Sequence, residues 1–138
     1  MEELNLDTLN TMCKNTLMET LGIVITAMGD ATLTGTMPVN SKHHQPLGYL
    51  HGGATIALAE SVGSMASILL VDPRKYAVLG TQINATHLRS VQSGIVEATA
   101  ILVNKGRSMH VWDVTVKNEE GELISVVRIS NSIKERRV

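Results

Sequence analysis

Apolar positions recur at helical spacing near the start of the chain and then give way to alternation. Leu6, Leu9, Met12, Cys13 and Leu17 predict one amphipathic helix over residues 4–17, docked on a larger body. In GIVITAMGDATLTGTMPV, β-branched residues alternate on both sides of MGDA, which predicts two strands joined by a hairpin turned at Gly29 and Asp30. The loop NSKHHQPLGYL, punctuated by Pro46 and Gly48, follows. Residues 53–71 hold enough apolar and small positions for about five helical turns. Small residues there, among them Ala54, Ala57, Ala59, Gly63, Ser64 and Ser67, weaken helix propensity but let a sheet approach closely. After DPRK, the runs YAVLGTQINATHL, GIVEATAILVN, SMHVWDVTVKN and ELISVVRISNSI read as four strands of an antiparallel meander. The pattern predicts a single α+β domain over residues 1–138, with no repeat or linker and a short charged tail, KERRV.

Composition narrows the function. A net charge of −1 gives no overall basic face for nucleic acid. Cys13 is the only cysteine, which excludes an intrachain disulfide and any cysteine-based metal cluster, so no metal site is expected. The opening MEELNLDTLNTMCKN reads as neither a secretory signal nor a presequence, and the expectation is a cytoplasmic protein that neither spans nor binds membranes. Phe is absent, so the core is expected to be built from Ile, Val, Leu, Ala and Met.

Between His43 and Val71, Glu60 is the sole Asp, Glu, Lys or Arg. A carboxylate in so apolar a segment is costly unless it is paired or used. The surrounding stretch HQPLGYLHGGATIALAESVGS places polar residues at fixed separations: Gln45 to Gly52 is seven, Gly52 to Glu60 eight, and Glu60 to Ser64 four. With the element order, this stretch resembles the hotdog-fold acyl-CoA thioesterases, in which a curved antiparallel sheet wraps a long central helix. The similarity is strongest to the branch containing the 1,4-dihydroxy-2-naphthoyl-CoA thioesterase of menaquinone synthesis and the enterobactin proofreading thioesterase. It implies hydrolysis of an acyl-CoA with an aromatic or medium-size acyl group, no cofactor beyond the coenzyme A of the substrate, and a homo-oligomer of paired dimers. An acylated carrier protein is a further partner compatible with it.

Residue by residue, the resemblance makes Glu60 the nucleophile or general base. The same residues make chemical sense of acyl transfer. Gly52 and Gly53 stand where a helix start offers free N–H groups to an oxyanion. An apolar setting would raise the Glu60 pKa toward a useful range, and Ser64, one turn on, would orient the carboxylate or a water. Gln45 and His51 would position the thioester. Taken without that pattern, Glu60 reads also as a surface residue of an amphipathic helix or half of a buried ion pair, Gly52 and Gly53 as turn residues, His51 equally as a helix-start residue, and Ser64 as simple packing. Gly80, His87, Leu88, Arg89 and Ser90, together with Asn104, Lys105, Gly106, Arg107, Ser108 and Met109, are the positions the resemblance assigns to coenzyme A. Arg89 and Arg107 suit phosphate, although Arg107 reads as readily as a solvated charge. A hotdog-fold dehydratase and a non-catalytic acyl-CoA-binding module are the alternatives. Alkene formation would mark the first, and dispensability of Glu60 the second.

Overall fold

The computed structural model describes residues 3–137. One six-stranded antiparallel sheet, ordered β1-β2-β4-β5-β6-β3, curves around a single long helix. The elements are α1 (Leu6–Met12), α2 (Leu17–Leu21), β1 (Val24–Gly29), β2 (Thr32–Val39), α3 (Gly52–Ile68), β3 (Tyr76–His87), β4 (Gly94–Lys105), β5 (Met109–Lys117) and β6 (Leu123–Glu135). A short 3₁₀ turn, Ser41–His43, lies between β2 and α3. This is the α+β hotdog architecture.

The expected N-terminal helix is two helices. Asn5 and Thr8 close a capping box at the start of α1, but Asn15 takes a positive φ of 61° and Thr16 caps a separate α2. Met12 and Leu17 consequently face solvent, while Leu9 and Cys13 are buried. Asn10 ties α1 to the edge of the sheet: its Nδ2 donates to Ile25 O (2.9 Å), and its Oδ1 accepts from Ile25 N–H (2.8 Å). The β1–β2 hairpin turns at Asp30 and Ala31, one residue later than the spacing predicts.

Alternation on β2, β4, β5 and β6 sends Leu33, Met37, Val96, Ala98, Trp112, Val114, Val127 and Ile129 inward onto Leu58, Ala59, Val62 and Ala66 of α3. Each such aliphatic side chain contributes at most about 1.5–3 kcal/mol. The small residues of α3 set the close approach. A Cβ on Gly63 would lie 2.8 Å from Ile129 Cγ2, and one on Gly35 of β2 the same distance from Val62 Cγ2.

The last four strands are not one meander. β4, β5 and β6 follow one another, but β3 pairs with β6 at the far edge. The crossing segment, residues 88–93, is pinned where Leu88 N–H donates to Ile124 O (2.7 Å) and Leu50 N–H to Val91 O (2.7 Å). Strand alternation records which face is buried and is silent on the neighbour. Bulges at Gly80/Gln82 in β3 and Leu102/Asn104 in β4 add to the curvature. Among the described residues, no helix is long and apolar enough to cross a membrane.

Candidate active site

His51 is the N-cap of α3, and its Nδ1 accepts from Gly53 N–H at 2.8 Å. One of the two N–H groups expected to be free is therefore used, and His51 acts as a helix-start residue. Gly52 N–H has no partner among the described residues. Gln45 sits in the preceding turn, where its Oε1 accepts from Leu47 N–H, so its amide NH₂ remains available to donate. Gln45 and Gly52 line one cavity of about 320 Å³ with His87, Leu88, Arg89 and Ser90. Tyr49, Leu50, Thr55, Ile124 and Ser125 complete the wall. Those five were not singled out from the sequence, because ordinary apolar and hydroxyl residues carry no chemical signal until the fold gathers them. His87 is held there by a hydrogen bond between Nδ1 and Ser125 Oγ (2.8 Å), and its Nε2 lies so close to Gly52 that a Cβ would meet it at 2.7 Å. Arg89 lies near Glu122 (3.6 Å) in an exposed ion pair, of a kind that contributes little to stability.

Glu60 is elsewhere. Eight residues along α3 from Gly52, it is roughly 12 Å from the helix start at 1.5 Å per residue. It is exposed in this chain, which corrects the expectation of an apolar burial site. Its carboxylate lies against Gly80 of β3, where a Cβ would come within 3.3 Å of Cδ and Oε1. Gly80 therefore adjoins Glu60 of its own chain, beside the β3 bulge. Asn104, Lys105, Gly106, Arg107, Ser108 and Met109 form the β4–β5 hairpin, closed by Gly106 N–H donating to Met109 O (2.8 Å). Strand pairing links Lys105 to His110, Asn131 and Gly80, which puts this hairpin at the Glu60 end of the sheet, opposite His87–Ser90. Within one chain, the cavity and the Glu60 carboxylate thus lie apart.

Residues 47–125 match the thioesterase superfamily. A solved thioesterase of Pseudomonas aeruginosa, in a glutamine-to-alanine form, superposes with a TM-score of 0.95 at 41% identity, covering 98% of this chain and 97% of its own. A thioesterase of Haemophilus influenzae gives 0.93 at 41% identity, covering 97% and 93%. The chain belongs to the thioesterase superfamily. A Staphylococcus aureus thioesterase enzyme, also with a glutamine changed to alanine, gives 0.84 at 43% identity, covering 86% of this chain and 98% of its own. A second structure of that protein has a glutamate changed to alanine.

Beneath the Glu60 face, this thioesterase holds a buried polar cluster that the sequence did not announce. Ser67 Oγ meets Trp112 Nε1 (2.8 Å), Asn131 Nδ2 (2.8 Å) and His110 Nδ1 (2.9 Å). The indole and amide groups can only donate, so they fill the acceptor positions of Ser67, whose single O–H must go to His110 Nδ1. His110 is therefore neutral and protonated at Nε2. Burial, and secondarily the charge of Lys105, hold its imidazole below the ordinary value of 6.5. A depressed histidine contributes stability that is fully present above 6.5 and is lost as pH falls through the folded value, because the unfolded chain takes up the proton first. The urea midpoint is expected to drop between about pH 7.5 and about pH 5, and to drop less in His110→Asn. Equal acid dependence in both proteins would assign the effect to other groups. Among the described residues, no group of three or more His, Cys, Asp or Glu is placed to hold a metal.

Proposed function

We propose that this enzyme hydrolyses acyl-CoA thioesters with an aromatic or medium-size acyl group, using Glu60 as the reacting carboxylate in a site completed by a second copy of the chain. The observation that carries the reading is a separation: a cavity with the Gly52 N–H, the Gln45 amide and Arg89 at one end of α3, and the exposed Glu60 carboxylate about 12 Å along the helix, against Gly80. The outer edge of β3 has no strand partner among the described residues, and pairing two such edges would remove both. Glu60 would then face the partner's cavity, in a dimer or a dimer of dimers.

The glutamine and glutamate altered in the two staphylococcal structures are fifteen residues apart, as Gln45 and Glu60 are here. That match supports pairing these two groups in one reaction. Gln45 NH₂ and Gly52 N–H would hold the carbonyl oxygen as it becomes an oxyanion. Glu60 would take a proton from water while the water oxygen bonds to the carbonyl carbon. Collapse then breaks the C–S bond, and the thiolate leaves without a strong acid because thiols are already fairly acidic, near 8.5. Attack by the carboxylate itself, giving an anhydride that water then opens, would use the same groups. Arg89 and Ser90 from one side, with Lys105 and Arg107 from the partner's hairpin, would meet the phosphates of coenzyme A. The enzyme would work in the cytoplasm, with carrier-protein thioesters as a second substrate form.

Thiol release over aryl-, medium-chain and short-chain acyl-CoA esters and acylated carrier protein tests the reading. Turnover is expected to be highest with an aryl or medium-chain CoA ester. Absence of thiol release from every ester would end it.

A further inference from the structure

Asn131 is fully buried on β6, in register with Gly80, the residue against which Glu60 lies. Its Nδ2 donates to Gly63 O (3.1 Å) and to Ser67 Oγ (2.8 Å). A backbone carbonyl only accepts, so the amide orientation is fixed, with nitrogen toward Gly63 and oxygen toward Ser64. Turning it over would set the amide oxygen against the Gly63 carbonyl oxygen and leave that buried amide oxygen without a donor, at a cost on the order of 1–3 kcal/mol. Oδ1 then stands 3.5 Å from Ser64 Oγ, a long contact that can form only with Ser64 donating. Trp112 and His110 engage Ser67 from the other side, so the amide has no local route to the reverse arrangement.

We propose that Asn131 is a positioning residue that acts through Ser64, drawing the Ser64 hydrogen inward and leaving its lone pairs turned outward on the face that carries Glu60. This rests on Glu60 being the reacting carboxylate. Ser64 is one turn from Glu60 on the same face, and the acceptor its hydroxyl finds is Asn131 Oδ1, at a long 3.5 Å; turned that way, it does not donate to the carboxylate and weaken it as a base. It accepts instead. A water between Glu60 and Ser64 has both hydrogens held by acceptors and one lone pair free for the carbonyl carbon, which is an alignment advantage expressed in kcat.

A double-substitution cycle tests this. Asn131→Ala is expected to lower kcat about tenfold to a hundredfold with KM changed less than about twofold, and to cause no further loss when Ser64 is already alanine. The same loss in both backgrounds, or none in the wild-type background, would overturn the proposal. Should Asn131→Ala fail to fold, neutron diffraction of the deuterium-exchanged wild-type enzyme answers the same question. The Ser64 deuteron is expected between Oγ and Asn131 Oδ1, and a deuteron aimed at Glu60 overturns the proposal. Failure of the underlying reading is separable, because undiminished turnover in Glu60→Ala would remove the role of Glu60 without moving that deuteron.

Discussion

Replacing Glu60 with alanine or glutamine is expected to lower kcat by about 10² to 10⁴, the range typical for losing a general base, while acyl-CoA binding survives. The groups assigned to the thioester carbonyl, Gln45 and Gly52, and those assigned to coenzyme A, His87–Ser90, lie in a cavity that Glu60 of the same chain does not line. Stability should barely change. Glu60 is exposed in the chain and makes no ion pair among the described residues, and surface substitutions of this kind usually fall within about 0.5 kcal/mol. Glu60→Asp is expected to lose around a hundredfold, since a shift of about 1 Å in a reacting group can cost that much. Thiol release and thermal unfolding measured on the same purified variants check all three. Near-normal turnover in Glu60→Ala, or loss of the folded state, would reduce Glu60 to a structural residue.

Trp112→Ala is expected to destabilise the fold by about 3–5 kcal/mol, a large share of the roughly 5–15 kcal/mol that holds a domain together. Trp112 is among the largest fully buried side chains and lies on the inner face of β5, packed in the core with α3. Its loss leaves both a large cavity and a donor missing at Ser67, where its indole N–H now donates. Trp112→Phe retains most of the ring and gives up mainly the hydrogen bond, an effect of about 1 kcal/mol. Urea unfolding of both variants separates the two contributions. An alanine variant within about 1 kcal/mol of wild type would show that neither matters to holding α3 on the sheet.

The hairpin, the long helix and the strand runs were legible because apolar residues such as Leu33, Met37, Val114 and Val116 alternate and face one core. The small residues of α3 announced the close packing that Gly63 and Ile129 display. The break after α1 was not legible, since it depends on a left-handed Asn15 and a Thr16 cap inside an otherwise periodic run. The position of β3 was hidden too, because pairing with β6 is a long-range choice that alternation does not encode. In the site, HGG located the helix start and Gln45 fell into the same cavity. Glu60 stood out as the odd residue in its segment, but the inference of burial failed: its neighbours Ala59 and Val62 are buried in the core, while Glu60 is exposed with its carboxylate against Gly80 of β3. Asn131, Ser67, His110 and Trp112 come from three elements, and nothing local in their segments marks them as one cluster.

The shared site is tested most directly by mixing two inactive proteins. Glu60→Ala and Gln45→Ala subunits are unfolded together, refolded and assayed for thiol release. If each site takes Glu60 from one subunit and Gln45 from its partner, a mixed dimer holds one intact site of two, and statistical mixing restores about a quarter of wild-type activity. Activity no higher than the sum of the two separate variants would place the whole site within one subunit and contradict the account.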